Sequence, residues 1–154
     1  MHVYLIRHGK AGSRHEWEGP DEERPLSGKG RREADALAHR LFDHPIGRVR
    51  SSPYLRCIEY VEPLAHKLGL EVERSEALAE GVGAQRAVEL VRSLGKPGAV
   101  ACTHGDVIPL VLDALAREDG LVLPDGYPCA KGSTWELVSK GGRFVKARYM
   151  APGE

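Results

Sequence analysis

The sequence predicts an α/β fold in which a mostly parallel sheet carries helices on both faces. Two apolar runs without a charge, residues 3–6 and 99–103, have the length and composition of strands buried on both faces. Between and after them, short strand-like runs alternate with segments whose apolar residues recur at helical spacing. Strands that alternate with helices indicate parallel pairing through right-handed crossovers.

Capping residues and prolines punctuate the first half of the chain. The expected elements, in order, are a strand over 3–6, a polar loop over 10–25, a helix over 28–44, a strand over 46–50 and a helix over 53–67. Ser27 is placed to cap the first helix, and Pro45 ends it. Ser52 followed by Pro53 has the pattern of an N-cap with proline at the first helical position, and Pro63 is expected to perturb the second helix.

The second half continues the alternation and then changes character. A strand over 70–73, a helix over 84–94, the apolar strand over 99–103 and a helix over 106–117 are expected in that order. Two further runs, 134–138 and 143–147, flank Gly141-Gly142 and predict a hairpin that closes one edge of the sheet. With 154 residues, the chain is expected to form a single domain over 1–154.

The composition excludes several functional classes. Lys plus Arg and Asp plus Glu both number 22, so no overall basic field recruits nucleic acid. No apolar run approaches the ~20 residues of a membrane span, and we expect no signal peptide before the first strand. Three widely spaced cysteines favour a reducing compartment, the cytoplasm, over a disulfide framework. Because no His or carboxylate spacing matches a metal motif, we expect neither a metal nor another cofactor.

Two of the expected strands end on histidine. Arg7 and His8 follow the first strand, and His104 follows the strand over 99–103. One such histidine is more often structural than catalytic, but in open α/β sheets ligands bind beyond the carboxyl ends of the strands. Two endings of the same kind therefore favour a site at this edge.

The residue types around these endings suit phosphoryl transfer. Arg7 and Arg56 offer planar guanidinium groups that match phosphate oxygens. The neutral imidazole of His8 can attack phosphorus in line while Arg7, Arg56 and His104 hold the nontransferred oxygens. These four residues, with a carboxylic acid to protonate the leaving oxygen, would provide the catalytic groups that a phosphatase needs.

The acid and the groups that bind the rest of the substrate are less sharply defined. Glu80 is the first choice for the acid and Glu76 the second, because both lie in a loop near the expected edge. Lys10 and Arg14 either ring the pocket or are simply solvated, and the two interpretations have equal weight. Lys131 is similar, with a slight preference for the substrate because it precedes the closing hairpin.

Two more features of the loop over 10–25 have alternative interpretations. The acidic run over 21–23 is interpreted as solvated surface rather than a metal site. Trp17 can cover the site or stack on a base.

Five short motifs follow one another over nearly the whole chain: Leu5-Ile6-Arg7-His8-Gly9, Pro25-Leu26-Ser27-x-x-Gly30, Ser51-Ser52-Pro53-x-x-Arg56, Leu78-Ala79-Glu80 and Thr103-His104-Gly105. In this order they resemble the histidine phosphatase superfamily, historically named for phosphoglycerate mutase. The resemblance implies a three-layer α/β/α sandwich with a mixed, mostly parallel sheet whose first and fourth strands are adjacent. It also implies that His8 is the phosphorylated nucleophile, that Arg7, Arg56 and His104 bind the phosphoryl group, and that Glu80 is the proton donor.

Departures from the family pattern indicate which branch of the superfamily this chain resembles. Where the mutase pattern has an acidic residue and an asparagine, this chain has Lys10 and Arg14, which weighs against a mutase. The chain is too short for cap insertions and resembles the small, cap-less phosphohistidine phosphatases of the SixA type. The chain is also similar to the phosphatase domain that follows a Nudix hydrolase domain in two-domain bacterial proteins. The shared features lie at residues 10–14, 17–19, 53–57 and 131–135. That likeness implies nucleotide-type phosphates and a functional link to a Nudix hydrolase.

The sequence thus predicts a metal-independent phosphatase that acts through a phosphohistidine on His8. The expected substrate is a phosphomonoester or phosphohistidine, carried by a phosphorylated small molecule or a phosphoprotein, with Lys10, Arg14, Ser27 and Lys131 as the expected substrate-binding residues. Two alternatives are a mutase-type phosphotransferase and a noncatalytic phosphate-binding module. The intact His8 and His104 weigh against the noncatalytic module.

Overall fold

The protein is built around one six-stranded sheet, described over residues 1–153 in a computed structural model. The strands are β1 His2–Arg7, β2 Arg48–Ser51, β3 Val72–Arg74, β4 Gly98–Thr103, β5 Thr134–Lys140 and β6 Arg143–Met150. The helices are α1 Gly28–Leu41, α2 Leu55–Leu68, α3 Ala84–Ser93 and α4 Val107–Asp119. The strand order is β3-β2-β4-β1-β5-β6.

The sheet is mixed, as predicted. β1 pairs with β4, β4 with β2 and β2 with β3, all in parallel, whereas β5 runs antiparallel to β1 and to β6. The adjacency of β1 and β4 and the closing hairpin are therefore confirmed. In the register of β1 against β4, Arg7 pairs with Thr103, so the residues that follow, His8 and His104, leave the sheet side by side.

Each face of the sheet has its own apolar core. Successive side chains of a strand point to opposite faces, and β1 shows this clearly. Tyr4 and Ile6 pack with residues of α1 and α2, whereas Val3 and Leu5 pack with residues of α3 and α4. The result is the predicted three-layer α/β/α sandwich.

Capping was predicted correctly for α1 and wrongly for α2. The Ser27 side chain accepts a hydrogen bond from the Gly30 amide at the start of α1. α2, in contrast, begins at Leu55 after Tyr54, so Ser52 does not cap it. α2 also runs through Pro63, which removes one amide donor without ending the helix. Within residues 1–153, no helix combines the length and apolar content needed to cross a membrane.

Candidate active site

His8 follows β1 and is almost completely buried. Its Nδ1 lies 2.8 Å from the carbonyl oxygen of Gly9. Because a carbonyl only accepts, Nδ1 carries the hydrogen and Nε2 keeps its lone pair. Burial lowers the pKa of His8 to about 3, and the nearby His104, Arg56 and Arg7 act in the same direction. The imidazole is therefore neutral near pH 7, the form that a nucleophile requires.

His104 follows β4 and stands beside His8, with the two ring centroids 5.4 Å apart. Its Nε2 lies 2.8 Å from Ser52 Oγ. That oxygen already accepts the amide hydrogen of Tyr54, so the Ser52 hydroxyl is available to donate to Nε2. In the tautomer in which Ser52 donates, the imidazole hydrogen of His104 lies on Nδ1, which is buried and has no protein partner among the described residues.

Two arginines complete the group of donors. Arg7 Nη1 donates to the Cys129 carbonyl at 2.7 Å, and the buried Arg56 donates to the Asp21 carbonyl at 2.9 Å and to its carboxylate at 3.0 Å. The Nε atoms of both arginines are buried, and neither has a protein partner within residues 1–153. With His104 Nδ1 they make three such donors, and buried donors are rarely left unpaired. A tetrahedral oxyanion would satisfy them.

Steric crowding explains why a glycine follows His104. A Cβ atom at Gly105 would lie only 2.6 Å from Arg7 Cζ. The guanidinium of Arg7 therefore occupies space that any side chain at Gly105 would need, which accounts for the histidine-glycine ending of β4.

A pocket of about 390 Å³ opens over these groups. Its lining brings together the five expected catalytic residues and three of the four expected substrate-binding residues, namely Arg7, His8, Arg56, Glu80, His104, Lys10, Arg14 and Lys131. Ser27, the fourth, lies outside this lining. Its hydroxyl donates to the Lys10 carbonyl at 2.8 Å and accepts the Gly30 amide at 3.1 Å, so it is engaged in fixing α1 to the preceding loop.

The structure distinguishes the two candidate acids by position. Glu80 lines the pocket, and its Oε2 lies 3.6 Å from Arg56 Nη2. Glu76 is exposed, lies in a short 3-10 turn and does not line the pocket. The Gly81 amide donates to Asp106 Oδ2 at 2.9 Å, which ties the loop that carries Glu80 to the start of α4. The geometry favours Glu80.

Asp21 and Arg24 belong to the site although sequence reasoning missed them. The acidic run that was interpreted as solvated surface supplies Asp21, which binds Arg56 and also accepts from Arg24 Nε at 3.0 Å. Arg24 is buried, lines the pocket and donates to the Gly12 carbonyl at 2.7 Å. Partial burial raises the pKa of Asp21, but hydrogen bonds from Arg24 and the charge of Arg56 outweigh this and lower it. The interpretation of Asp21 as solvated surface is therefore wrong.

Three potential metal ligands lie in the same place. The donor atoms of His8, Cys57 and His104 are within 4.8 Å of one another. The guanidinium groups of Arg7 and Arg56 oppose a cation at this position, because like charges repel strongly where water is scarce. The arrangement fits an anion better than a metal ion.

Solved structures share this fold. The protein histidine phosphatase SixA complexed with tungstate superimposes with a TM-score of 0.79 at 22% identity, covering 99% of this chain and 97% of that chain. A mycobacterial glucosyl-3-phosphoglycerate phosphatase superimposes with a TM-score of 0.68 at 19% identity, covering 96% of each chain. At these identities the likeness establishes the fold alone.

Sequence comparison gives a named relative. The 8-oxo-(d)GTP phosphatase of Mycolicibacterium smegmatis is 35% identical over 157 residues, an alignment that covers 97% of this chain. The chain spans about half of that relative, 48% of its length.

The family itself is shown by a match to a family model. The sequence model of the histidine phosphatase superfamily (branch 1) matches residues 3–85, more than half of the chain. That stretch contains Arg7, His8, Arg56 and Glu80, which the structure brings into one pocket. This chain therefore belongs to the histidine phosphatase superfamily.

Proposed function

We propose that the protein is a metal-independent phosphatase that hydrolyses a phosphomonoester or phosphohistidine through a phosphohistidine on His8. One observation carries the proposal: a neutral imidazole with a free Nε2 lies in the same pocket as three buried, unpaired hydrogen-bond donors. A phosphoryl group beside His8 receives a nucleophile and lies in the same pocket as the side chains of Arg7, Arg56 and His104.

In the first step, His8 Nε2 attacks phosphorus opposite the leaving oxygen. Arg7, Arg56 and His104 donate to the nontransferred oxygens, over which the charge of a loose transition state is spread. These donors are held by protein contacts before the substrate arrives, so little reorganisation is needed during the reaction.

Glu80 completes both half-reactions. A phosphoryl dianion beside Glu80 favours its protonated form, which donates its proton to the leaving oxygen. The resulting carboxylate then takes a proton from the water that attacks the phosphohistidine. Inorganic phosphate leaves, and His8 returns to its neutral state.

The proposed substrate is a phosphorylated small molecule of nucleotide type. Lys10, Arg14 and Lys131 line the pocket beside the phosphoryl-binding arginines, so the site has cations for negative charge beyond one phosphoryl group. A relative named for 8-oxo-(d)GTP supports this choice. A phosphoprotein substrate is the second candidate, supported by the fold shared with the protein histidine phosphatase SixA.

The functional link to a Nudix hydrolase and the cytoplasmic location also belong to the proposal. About half of the Mycolicibacterium smegmatis relative lies outside the matched part, so that protein has another segment of similar length beside the part that this chain matches. Three free cysteines, Cys57, Cys102 and Cys129, support a reducing compartment.

Rapid-quench labelling tests the mechanism. During turnover of a ³²P-labelled phosphate ester, the wild type should accumulate acid-labile, base-stable label that maps to His8, and His8→Ala should accumulate none. His66→Ala, on the exposed part of α2, is the matched control and should label like the wild type. Label on His104, or turnover without label on any residue, would contradict the proposal.

A further inference from the structure

A second cavity adjoins the catalytic pocket. It measures about 340 Å³ and is lined by Arg14, Trp17, Gly19, Asp21 and Glu80. Arg14 and Glu80 line both cavities, so the two lie next to each other. A substrate with its phosphoryl group at His8 therefore has somewhere to place the rest of the molecule.

Trp17 gives this cavity a rigid aromatic wall. Its Nε1 donates to the Pro20 carbonyl at 2.9 Å, which holds the ring by one edge. A Cβ at Gly19 would lie 3.8 Å from the same Nε1, so this glycine backbone packs directly against the indole. Even so, 37% of Trp17 is exposed. An exposed indole that is held at one edge is available to stack with less loss of conformational freedom than an unrestrained one.

The position of Glu80 sets the direction in which the substrate extends. A general acid must lie within hydrogen-bond reach of the leaving oxygen. Because Glu80 stands on the border between the two cavities, the group attached to that oxygen continues from the border into the cavity of Trp17. The nontransferred oxygens stay on the other side, with Arg7 and His104.

We propose that the cavity beside Trp17 is a leaving-group subsite that holds a planar aromatic ring, of the kind found in a nucleobase, stacked on the indole. The inference rests on the proposed function for the position of the phosphoryl group, and it specifies the substrate as one that carries such a ring. Stacking of a base on an aromatic side chain is tolerant of base identity, so this subsite selects for a ring rather than for one particular base.

Two matched pairs of ligands test the subsite without turnover. Ribose 5-phosphate and AMP share the same phosphorylated alcohol and differ by the base. Pyrophosphate and ADP form a second pair with two phosphoryl groups, and they differ by the whole nucleoside. Binding to His8→Ala is measured by calorimetry and by indole fluorescence. Trp135, the other tryptophan, is buried in the core, so a ligand in the cavity quenches Trp17 selectively.

In at least one pair, the member with the base should bind about tenfold more tightly or better, and it should quench the fluorescence. Adding Trp17→Ala should abolish that advantage while the partner without the base binds as before, and Trp17→Phe should retain part of it. Phe42→Ala removes an exposed aromatic ring that belongs to the lining of neither cavity, and it should change nothing. Circular dichroism confirms that each variant is folded.

Two results would overturn the inference: equal affinities within both pairs, or a preference for the base that survives Trp17→Ala. Neither depends on catalysis. A failure to trap phosphohistidine would refute the proposed function separately, while the comparison within each pair would still decide whether an aromatic ring binds at Trp17.

Discussion

Ser52 Oγ lies 2.8 Å from His104 Nε2, and this hydrogen bond joins the segment after β2 to the segment after β4. The Tyr54 amide donates to the same oxygen at 3.2 Å, which leaves the hydroxyl hydrogen for the histidine. A hydrogen bond donated by Ser52 would favour the tautomer of His104 that carries its proton on Nδ1. In the proposed mechanism, Ser52 is a positioning residue that acts on the phosphoryl group through His104.

Ser52→Ala should therefore impair catalysis more than binding. Without the hydroxyl, His104 loses its fixed tautomer and orientation, and we expect kcat to fall roughly 10- to 100-fold with a smaller change in KM. Steady-state kinetics measures both values, and Ser52→Thr should restore most of kcat. Ser51→Ala is the matched control, because Ser51 is equally buried but donates to the Ser52 carbonyl. Equal losses of kcat in Ser51→Ala and Ser52→Ala would contradict this prediction and show that the role of Ser52 is only structural.

Asp21→Asn should weaken the phosphoryl-binding site by releasing Arg56. The carboxylate accepts from Arg56 Nη2 at 3.0 Å and from Arg24 Nε at 3.0 Å, and it fixes the guanidinium whose Nε is free for substrate. Since hydrogen bonds to charged groups are among the stronger ones, we expect kcat/KM to fall about tenfold or more. Glu23→Gln, an exposed change in the same acidic run, should have little effect. An equal effect of both changes would mean that general electrostatics, not the contact to Arg56, is responsible.

Local signals in the sequence predicted the sheet and the pair of histidines at its edge. The apolar runs that became β1 and β4 each end on histidine, and parallel register alone brings His8 beside His104. The Ser27 cap was also predictable, since capping bonds connect residues only three positions apart. The same engagement of the hydroxyl explains why Ser27 is absent from the pocket lining.

The misses depend on contacts between distant parts of the chain. Ser52 reaches a histidine 52 positions later, and Asp21 reaches an arginine 35 positions later. A serine before proline and a short acidic run have ordinary local roles, as a cap and as solvated surface. Nothing in the spacing of these residues indicates which distant partner each one meets once the sheet has formed.

Acid should destabilise the wild type through His8. The unfolded histidine has a pKa of about 6.5, whereas burial lowers the pKa of the folded residue to about 3. Between these values the unfolded chain binds a proton that the folded chain does not, so the free energy of unfolding decreases as the pH falls. Between pH 7 and pH 4, the wild type should lose roughly 3 kcal/mol more than His8→Gln.

Urea unfolding at the two pH values measures this difference. His66→Gln, at an exposed position on α2, controls for the substitution itself and should keep the wild-type loss. Parallel losses in the wild type and His8→Gln would show that His8 titrates alike in the folded and unfolded chain.

Hydrolysis should be insensitive to chelators and blocked by vanadate. Arginines and imidazoles stabilise the transferring group in the proposed mechanism, and vanadate offers the same donors a pentavalent oxyanion. We expect kcat/KM to be unchanged after treatment with EDTA, and competitive inhibition by orthovanadate. Activity that disappears with EDTA and returns with added zinc or magnesium would refute the mechanism, and would direct attention to the cluster of His8, Cys57 and His104.

The leaving group should reveal whether Glu80 is the acid. A proton donor matters most when the departing oxygen is a poor leaving group, such as an alkoxide, and matters little for nitrophenolate. Glu80→Gln should therefore slow hydrolysis of an alkyl phosphate by ~100-fold or more while an activated aryl phosphate loses far less.

Glu76→Gln is the matched control, because Glu76 is a nearby glutamate outside the pocket lining, and it should spare both substrates. Comparison of kcat/KM for the two substrates in the two variants gives four values that separate the possibilities. The reverse pattern would assign the proton donor to Glu76. If neither variant shows any dependence on the leaving group, the acid lies elsewhere, or the substrate is a phosphohistidine, whose leaving nitrogen needs no proton from Glu80.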